Sequence, residues 1–274
     1  MLGRKLRVIK VEQLEKIVKV ALYTGRILNE RPLSILVVAA VGAGKTDLLS
    51  KFSEKFVDSV LYASDITAFA LHHKHGKQLK KGMIRHIIIP DLLTPLNKAR
   101  DQADHFITFM NGIIEEGIAR VESQKSNFVV DIPIRCGLIT SLATRELKIR
   151  KDKWASVGFL SRMLPISFEY KQETVMEIFE YITDRAYLTA NPKALNLPPD
   201  TDVILPKDIS ESCIPLAQLL KDRDDKYGFR RLKQIQTFIM GHALMNGRTI
   251  VEEEDLQGFV DIVDFVSYKC KAKI

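Results

Sequence analysis

Residues 33 to 46 read LSILVVAAVGAGKT, a nearly continuous apolar run that ends in a glycine-containing turn followed by Lys and Thr. Leu33 to Ala40 is short, branched and uncharged, which predicts a buried strand, and Asp47 to Phe56 returns to helical spacing. Few local structures join a buried strand to a helix through such a turn. Gly42 and Gly44 lack Cβ atoms, so the backbone can curl with its N–H groups converging on an anion. The start of the following helix adds its positive dipole end at the same point. Lys45 is placed to reach β- and γ-phosphates, and the Thr46 hydroxyl suits a Mg²⁺ ion. The phosphate-loop pattern GxxxxGK[ST] is met except at its first position, where Ala39 replaces Gly. A methyl group is tolerated there if Ala39 keeps a negative φ. Val41, Gly42, Ala43, Gly44, Lys45, Thr46 and Asp47 are therefore the candidate nucleotide-binding residues, with ATP and Mg²⁺ as the implied cofactors. An ordinary glycine turn before a helix is the competing reading.

Around this loop, short apolar runs alternate with amphipathic ones. Residues 11–29 (VEQLEKIVKVALYTGRILN) carry apolar side chains at helical spacing, and Pro32 blocks continuation. Ser59 to Ala63 and Ile84 to Ile89 read as strands, 97–121 as a long helix, and Phe128 to Val130 and Cys136 to Thr140 as further strand material. Such alternation predicts α/β architecture, a parallel central sheet covered by helices on both faces. From Glu173 the strand signal gives way to helices at 173–187, 210–222, 228–246 and 252–269, interrupted by NPKALNLPPDTDVILP. A boundary is expected near Phe168 to Glu173. Residues 1–170 then form a three-layer α/β/α nucleotide-binding domain of the P-loop NTPase type, and 171–274 a smaller all-α lid.

A phosphate loop that hydrolyses its nucleotide also needs a carboxylate at the end of a neighbouring buried strand, holding Mg²⁺ through its waters. IIIPDLL (87–93) supplies Asp91 directly after an apolar run. The next position usually carries a Glu that polarises the attacking water; here it is Leu92. A second register sets Pro90 at the metal carboxylate and Asp91 at the Glu position. On the first register the base is missing, or comes from elsewhere, with Asp65, Glu115 and Glu116 as substitutes. Asp91 as a plain turn residue after Pro is the structural alternative.

The net charge of +7 favours polyanionic partners, nucleic acid above all. Two basic runs stand out, HHKHGKQLKKGMIRH (72–86) and RELKIRKDKW (145–154). His72, His73 and His75 are too closely spaced for an i, i+4 pair and no Cys joins them, which argues against metal. Lys74, Lys77, Lys80 and Lys81 would suit a nucleic-acid backbone if the stretch is a pore-facing loop, or are simply solvated. Cys136, Cys213 and Cys270 are odd in number, far apart and without a CxxC spacing, which argues against a disulfide framework or zinc site and suits a reducing cytoplasm. No apolar run approaches the ~20 residues of a membrane span, and no signal-peptide stretch follows the basic start. A cytoplasmic location without membrane contact is expected.

From Ser34 to Leu256 the chain resembles the AAA+ superfamily, within it the MoxR-like group and its relatives RuvB and the MCM helicases. AAVGAGKT looks like Walker A and IIIPDLL like a modified Walker B. MNGIIEEGIARV is similar to the MoxR-like helix after Walker B, and GFLSRMLPISF to the segment carrying an arginine finger, pointing to Arg162. GFRRLKQIQTFIMGHALMNGRTIVEEEDL resembles the helical lid and sets the sensor-2 arginine at Arg230, beside Arg231. The resemblance implies that Arg230 acts within its own subunit. Arg162 would reach the nucleotide of the next one, hence a homo-oligomeric ring or helix, with a hexamer as one form. CGLITSLATRE then corresponds to the sensor-1 strand; among Thr140, Ser141 and Thr144, Thr140 is the choice. Asp91, Thr140, Arg162 and Arg230 are thus the candidate catalytic residues, and Thr46 and Asp91 the metal ligands.

These readings converge on an oligomeric ATPase that moves or remodels a macromolecule, DNA foremost, as replication-associated loaders and translocases do. A MoxR-like ATPase acting on a protein partner is the second reading. A nucleotide-dependent scaffold or switch is the third, kept open by Leu92.

Overall fold

Every residue of strand β1 (Ile35–Ala39) is buried. That follows from a continuous apolar sequence with a neighbour on each side. The computed structural model describes residues 11–123, 126–185, 194–222 and 225–274, leaving aside the side chains of His72 and of 121–132. In it β1 pairs in parallel with β6 (Gly137–Ala143) and with β7 (Leu164–Glu169). β3 (His86–Ile89) lies beyond β6, β2 (Val60–Tyr62) beyond β3, and β8 (Ala272–Lys273) beyond β7. The six-stranded order is β2-β3-β6-β1-β7-β8, parallel throughout.

Strand alternation sorts the core into two faces. Ile35, Val37 and Ala39 join α1 (Glu12–Thr24), α2 (Lys45–Ser50) and the helices α8 (Lys207–Leu220), α9 (Phe229–Met245) and α10 (Glu253–Val260). Leu36 and Val38 join α3 (Ala68–Lys80), α5 (Arg100–Asn111) and α6 (Thr144–Ser156). Removing each such Leu, Ile or Val side chain from water contributes roughly 1.5–3 kcal/mol, so the three layers hold together chiefly through the sheet's two apolar faces. The fold is the expected α/β class, helices flanking a parallel sheet.

Several elements differ from the sequence expectation, each for a local reason. The first helix ends at Thr24, not 29: the Thr24 hydroxyl donates to the Ala21 carbonyl and accepts from Leu33 N–H, turning the chain toward β1. The His- and Lys-rich stretch is no loop but most of α3, started by Thr67, whose hydroxyl accepts from Ala70 N–H. Residues 145–154 likewise lie in α6, which buries Leu147 and Trp154 under a charged exterior. The long helix of 97–121 is instead the short α4 (Leu93–Leu96), α5 and one turn of π-helix, Gly112–Glu116. Gly117, at φ +83°, reverses the chain there. β4 (Ile118–Ser123) and β5 (Ser126–Ile134) then form a separate antiparallel hairpin, so Phe128 to Val130 lie outside the central sheet. α7 (Gln172–Thr183) follows β7; the expected end of that helix at 187 lies outside the described residues. α10 stops at Val260, well before 269, and the chain returns along β7 to end in β8.

Where β3 meets β6, His86 is fully buried and its Nε2 donates to the Leu33 carbonyl at 3.3 Å. A Cβ on Gly137 would lie 2.4 Å from the His86 ring and 3.0 Å from the Leu33 oxygen, so only glycine fits. Burial pushes the imidazole down to about 4. The unfolded chain, with a value near 6.5, takes up a proton that the native fold refuses, so stability falls as pH drops from neutrality toward 4. The expected loss over that window is roughly 3 kcal/mol. Urea unfolding at about pH 7.5 and about pH 4.5 measures it, and His86→Leu should shed most of the difference.

Candidate functional site

All strands of the sheet run the same way, so their ends define two edges. At the carboxyl edge, the chain leaves β1 after Ala39 and enters α2 at Lys45. Ala39 is absent from the residues with positive φ, which meets the condition that lets it replace Gly. Gly42 and Gly44 have φ of +79° and +72°, the left-handed region where a side chain is strained. A Cβ on Gly42 would meet no atom within 4 Å; its requirement is therefore backbone conformation, not space. Val41 is exposed, Ala43 buried, and Thr46 and Asp47 project from the first turn of α2. Lys45 Nζ donates to the Ala39 and Ala40 carbonyls at 3.2 and 2.6 Å, lying back over the loop. Desolvation lowers its pKa, while the nearby charge of Asp91 opposes that shift.

Asp91 reaches the same edge from β3, two strands away with β6 between, and its Oδ1 accepts from Leu93 N–H at 3.0 Å. Leu92 is fully buried, so no carboxylate follows Asp91. Thr46 and Asp91 are oxygen donors beside a lysine at one sheet edge, a set that fits a nucleotide with Mg²⁺. Asp65, just beyond β2, is engaged by Lys98 at 2.7 Å.

Thr140 is placed below that edge. It lies mid-strand and fully buried, paired in register with Leu36 and Ile89, and its hydroxyl donates to the Ile89 carbonyl at 2.6 Å. Ser141 spends its hydroxyl on the Pro90 carbonyl in the same way. These bonds pin β3 to β6. The strand ends three residues beyond Thr140, at Ala143, and Thr144 begins α6 beside Cys270.

Arg162 and Arg230 lie at the opposite edge. Arg162 precedes β7, whose first residue Leu164 pairs with Ile35, the first of β1. The glycine loop after β1 starts four residues further along, about 13 Å of strand away. Arg162 Nε is 2.6 Å from Glu115 Oε2, a close ionic contact without hydrogen-bond alignment, and its NH1 donates to the Gly158 carbonyl. Arg230, on the first turn of α9, grips Glu115 with two bonds of 3.0 Å and gives NH1 to Ser161 Oγ. Arg230 therefore stands with Arg162 at the amino edge. Glu115 and Glu116 are there too, remote from the loop for which they were candidate bases. A cavity of about 440 Å³ opens beside the cluster, lined by five cationic side chains and two carboxylates.

Two participants carry no sequence motif. Tyr170, at the turn between β7 and α7, donates its hydroxyl to the Ala43 carbonyl at 3.0 Å, and burial pushes its pKa up to about 12. Arg31 comes within 3.6 Å of Glu115. Only the folded chain brings either to its place. No group of His, Cys, Asp and Glu able to hold a metal by itself occurs among the described residues. The expected absence of metal at His72, His73 and His75 rests on spacing, and the His72 side chain lies outside the description.

No protein-family model matches the chain. No curated protein sequence matches it. Among solved structures, its fold is similar to that of a full-length MCM homolog from Methanopyrus kandleri, with a TM-score of 0.53 at 14% identity. The similarity covers 96% of this chain and 57% of that one, so the chain spans little more than half of the relative's length. At that identity the likeness carries the fold alone, a parallel sheet flanked by helices. No helix among the described residues is long and apolar enough to cross a membrane.

The Tyr170 bond gives a direct test of the loop. Tyr170→Phe removes one donor from a mostly buried carbonyl, worth about 1 kcal/mol. Fluorescence titration with a labelled ATP analogue should show affinity weakened by roughly fivefold.

Proposed function

We propose that this chain is an ATP-binding ATPase of the AAA+ type that assembles into an oligomer and uses nucleotide turnover to move or remodel a macromolecule, with nucleic acid as the favoured target. The observation that carries this reading is the carboxyl edge itself. A glycine loop in the left-handed region delivers Lys45 and Thr46 at the start of α2, with Asp91 near enough for its charge to act on Lys45. Val41 to Asp47 would hold the phosphates, and Thr46 and Asp91 would hold Mg²⁺, which supplies charge stabilisation on the transferred phosphoryl group.

Arg162 and Arg230 share one acceptor at the other edge. On this reading both act on the nucleotide of a neighbouring copy, not one in each direction. Guanidinium forks suit that task because they stay charged and grip two phosphate oxygens at once. The helices after β7 would serve as the lid, carrying Arg230 at the start of α9, while β8 returns to the sheet. The exposed lysines Lys74, Lys77 and Lys80 of α3, with Lys81 just past its end, lie along a helix where a polyanion can be tracked.

A second reading, a nucleotide-dependent scaffold or switch, is favoured by one observation: the residue after Asp91 is a buried leucine and not an exposed glutamate. Phosphate release with and without single-stranded or duplex DNA separates the two. Turnover should rise several-fold with DNA, fall steeply with added salt, and vanish in Lys45→Ala. ATP binding without turnover under every condition would leave the scaffold. Turnover indifferent to DNA would leave a protein target.

A further inference from the structure

Glu115 sits at the centre of an unusually complete contact set. Arg230 meets both of its oxygens, Arg162 is 2.6 Å from one, and Arg31 is 3.6 Å from the other. Burial alone would raise this carboxyl's pKa, but the hydrogen bonds from Arg230 and the charge of Arg162 outweigh that and hold it low. The three arginines come from three separate segments. Arg31 precedes β1, Arg162 precedes β7, and Arg230 opens α9.

The arginine donors are correspondingly occupied. Arg162 has Glu115 beside Nε, the Gly158 carbonyl on NH1 and Glu116 on NH2. Arg230 spends Nε and NH2 on Glu115 and NH1 on Ser161. Every nitrogen of either guanidinium thus faces an internal oxygen, through a hydrogen bond in each case except Arg162 Nε, whose contact with Glu115 is ionic only. A carboxylate offers the fork the same pair of oxygens that a phosphate does, with less negative charge.

We propose that Glu115 is a latch: in the separate protomer its carboxylate holds Arg162 and Arg230, and the terminal phosphate of a nucleotide bound by a second copy displaces it. The inference rests on the reading of those arginines as phosphate ligands across a subunit boundary. The exchange makes and breaks no covalent bond. The arginines trade one anion for another with higher charge, which is favourable only when nucleotide arrives.

The backbone under Glu115 is built to stay put while the side chain lets go. The π-turn Gly112–Glu116 is closed by Gly117 N–H on the Gly112 carbonyl at 2.8 Å and anchored by buried Ile113 and Ile114. π-turns concentrate at functional positions. Cys136 N–H binds the Ile113 carbonyl, and a Cβ on Gly117 would stand 2.7 Å from Pro133 Cβ in the hairpin. Release is therefore a rotamer change of Glu115, made at the root of the β4–β5 hairpin.

Sedimentation velocity of the full chain with ATP and Mg²⁺, run beside phosphate release, tests this. Glu115→Gln keeps the shape but replaces a charged acceptor with a neutral one. It should associate at roughly tenfold lower protein concentration than the parent chain and turn over faster at equal concentration. Glu115→Asp, too short to span both guanidinia, should shift association the same way and stands in if the Gln variant melts early. Association no tighter than the parent's, or slower turnover, in the folded variants would overturn the latch and make Glu115 a positioning residue. Arg162→Ala is the separate arm. It should lose nucleotide-driven association, and unchanged behaviour there would remove the cross-subunit reading itself.

Discussion

Strand β1 is hydrogen-bonded on both sides and buried on both faces, and the remaining elements are arranged by that fact. A strand so enclosed has nowhere to present chemistry except at its ends. Its pairing with β6 sets Ala39 opposite Ala143, and the Thr140 and Ser141 hydroxyls then pin the last residues of β3 to β6. The glycine loop and Asp91 thus leave the sheet at one edge because buried hydroxyl-to-carbonyl bonds fix the strands beneath them. Two of the three hydroxyl side chains considered for the sensor-1 position in the sequence are part of that fixation.

At the other edge, attraction between one carboxylate and three guanidinium groups gathers segments distant along the chain. Exposed pairs of this kind contribute little. Here Glu115 and Arg162 are mostly buried, with relative side-chain exposures of 19% and 12%, so separating them without a replacement partner is costly. On the latch proposed above, the same shielding would favour an incoming anion that can meet both arginines together.

The parts legible in the sequence were those governed by local rules. Apolar run length marked β1 and β3, glycine spacing marked the loop, and helical periodicity marked α9 and much of α8. Ala39 was interpretable because only the sign of its φ mattered, and that sign depends on the strand it closes. What stayed hidden depended on contacts between distant segments. Residues 68–80 look too polar for a packed helix, yet Leu71 and Leu79 are enough to seat α3. The hairpin turns on a single left-handed glycine after a convincing helical pattern. Arg230 matches a motif, but its position follows from a glutamate 115 residues earlier in the chain. Tyr170 matches nothing and touches the loop only because β7 lies beside β1.

A parallel sheet has a direction, and in the function proposed above its two ends would carry unlike halves of one phosphate-handling device. On the arginine assignment proposed above, copies join by unlike surfaces, a heterologous contact with no twofold axis in it. The rotation between successive copies then decides the outcome: a ring if it closes, a filament if it does not. An open row leaves its last phosphate loop without arginines, whereas closure completes every loop. Activity per copy would therefore report on the geometry of closure as well as on the chemistry of any one site.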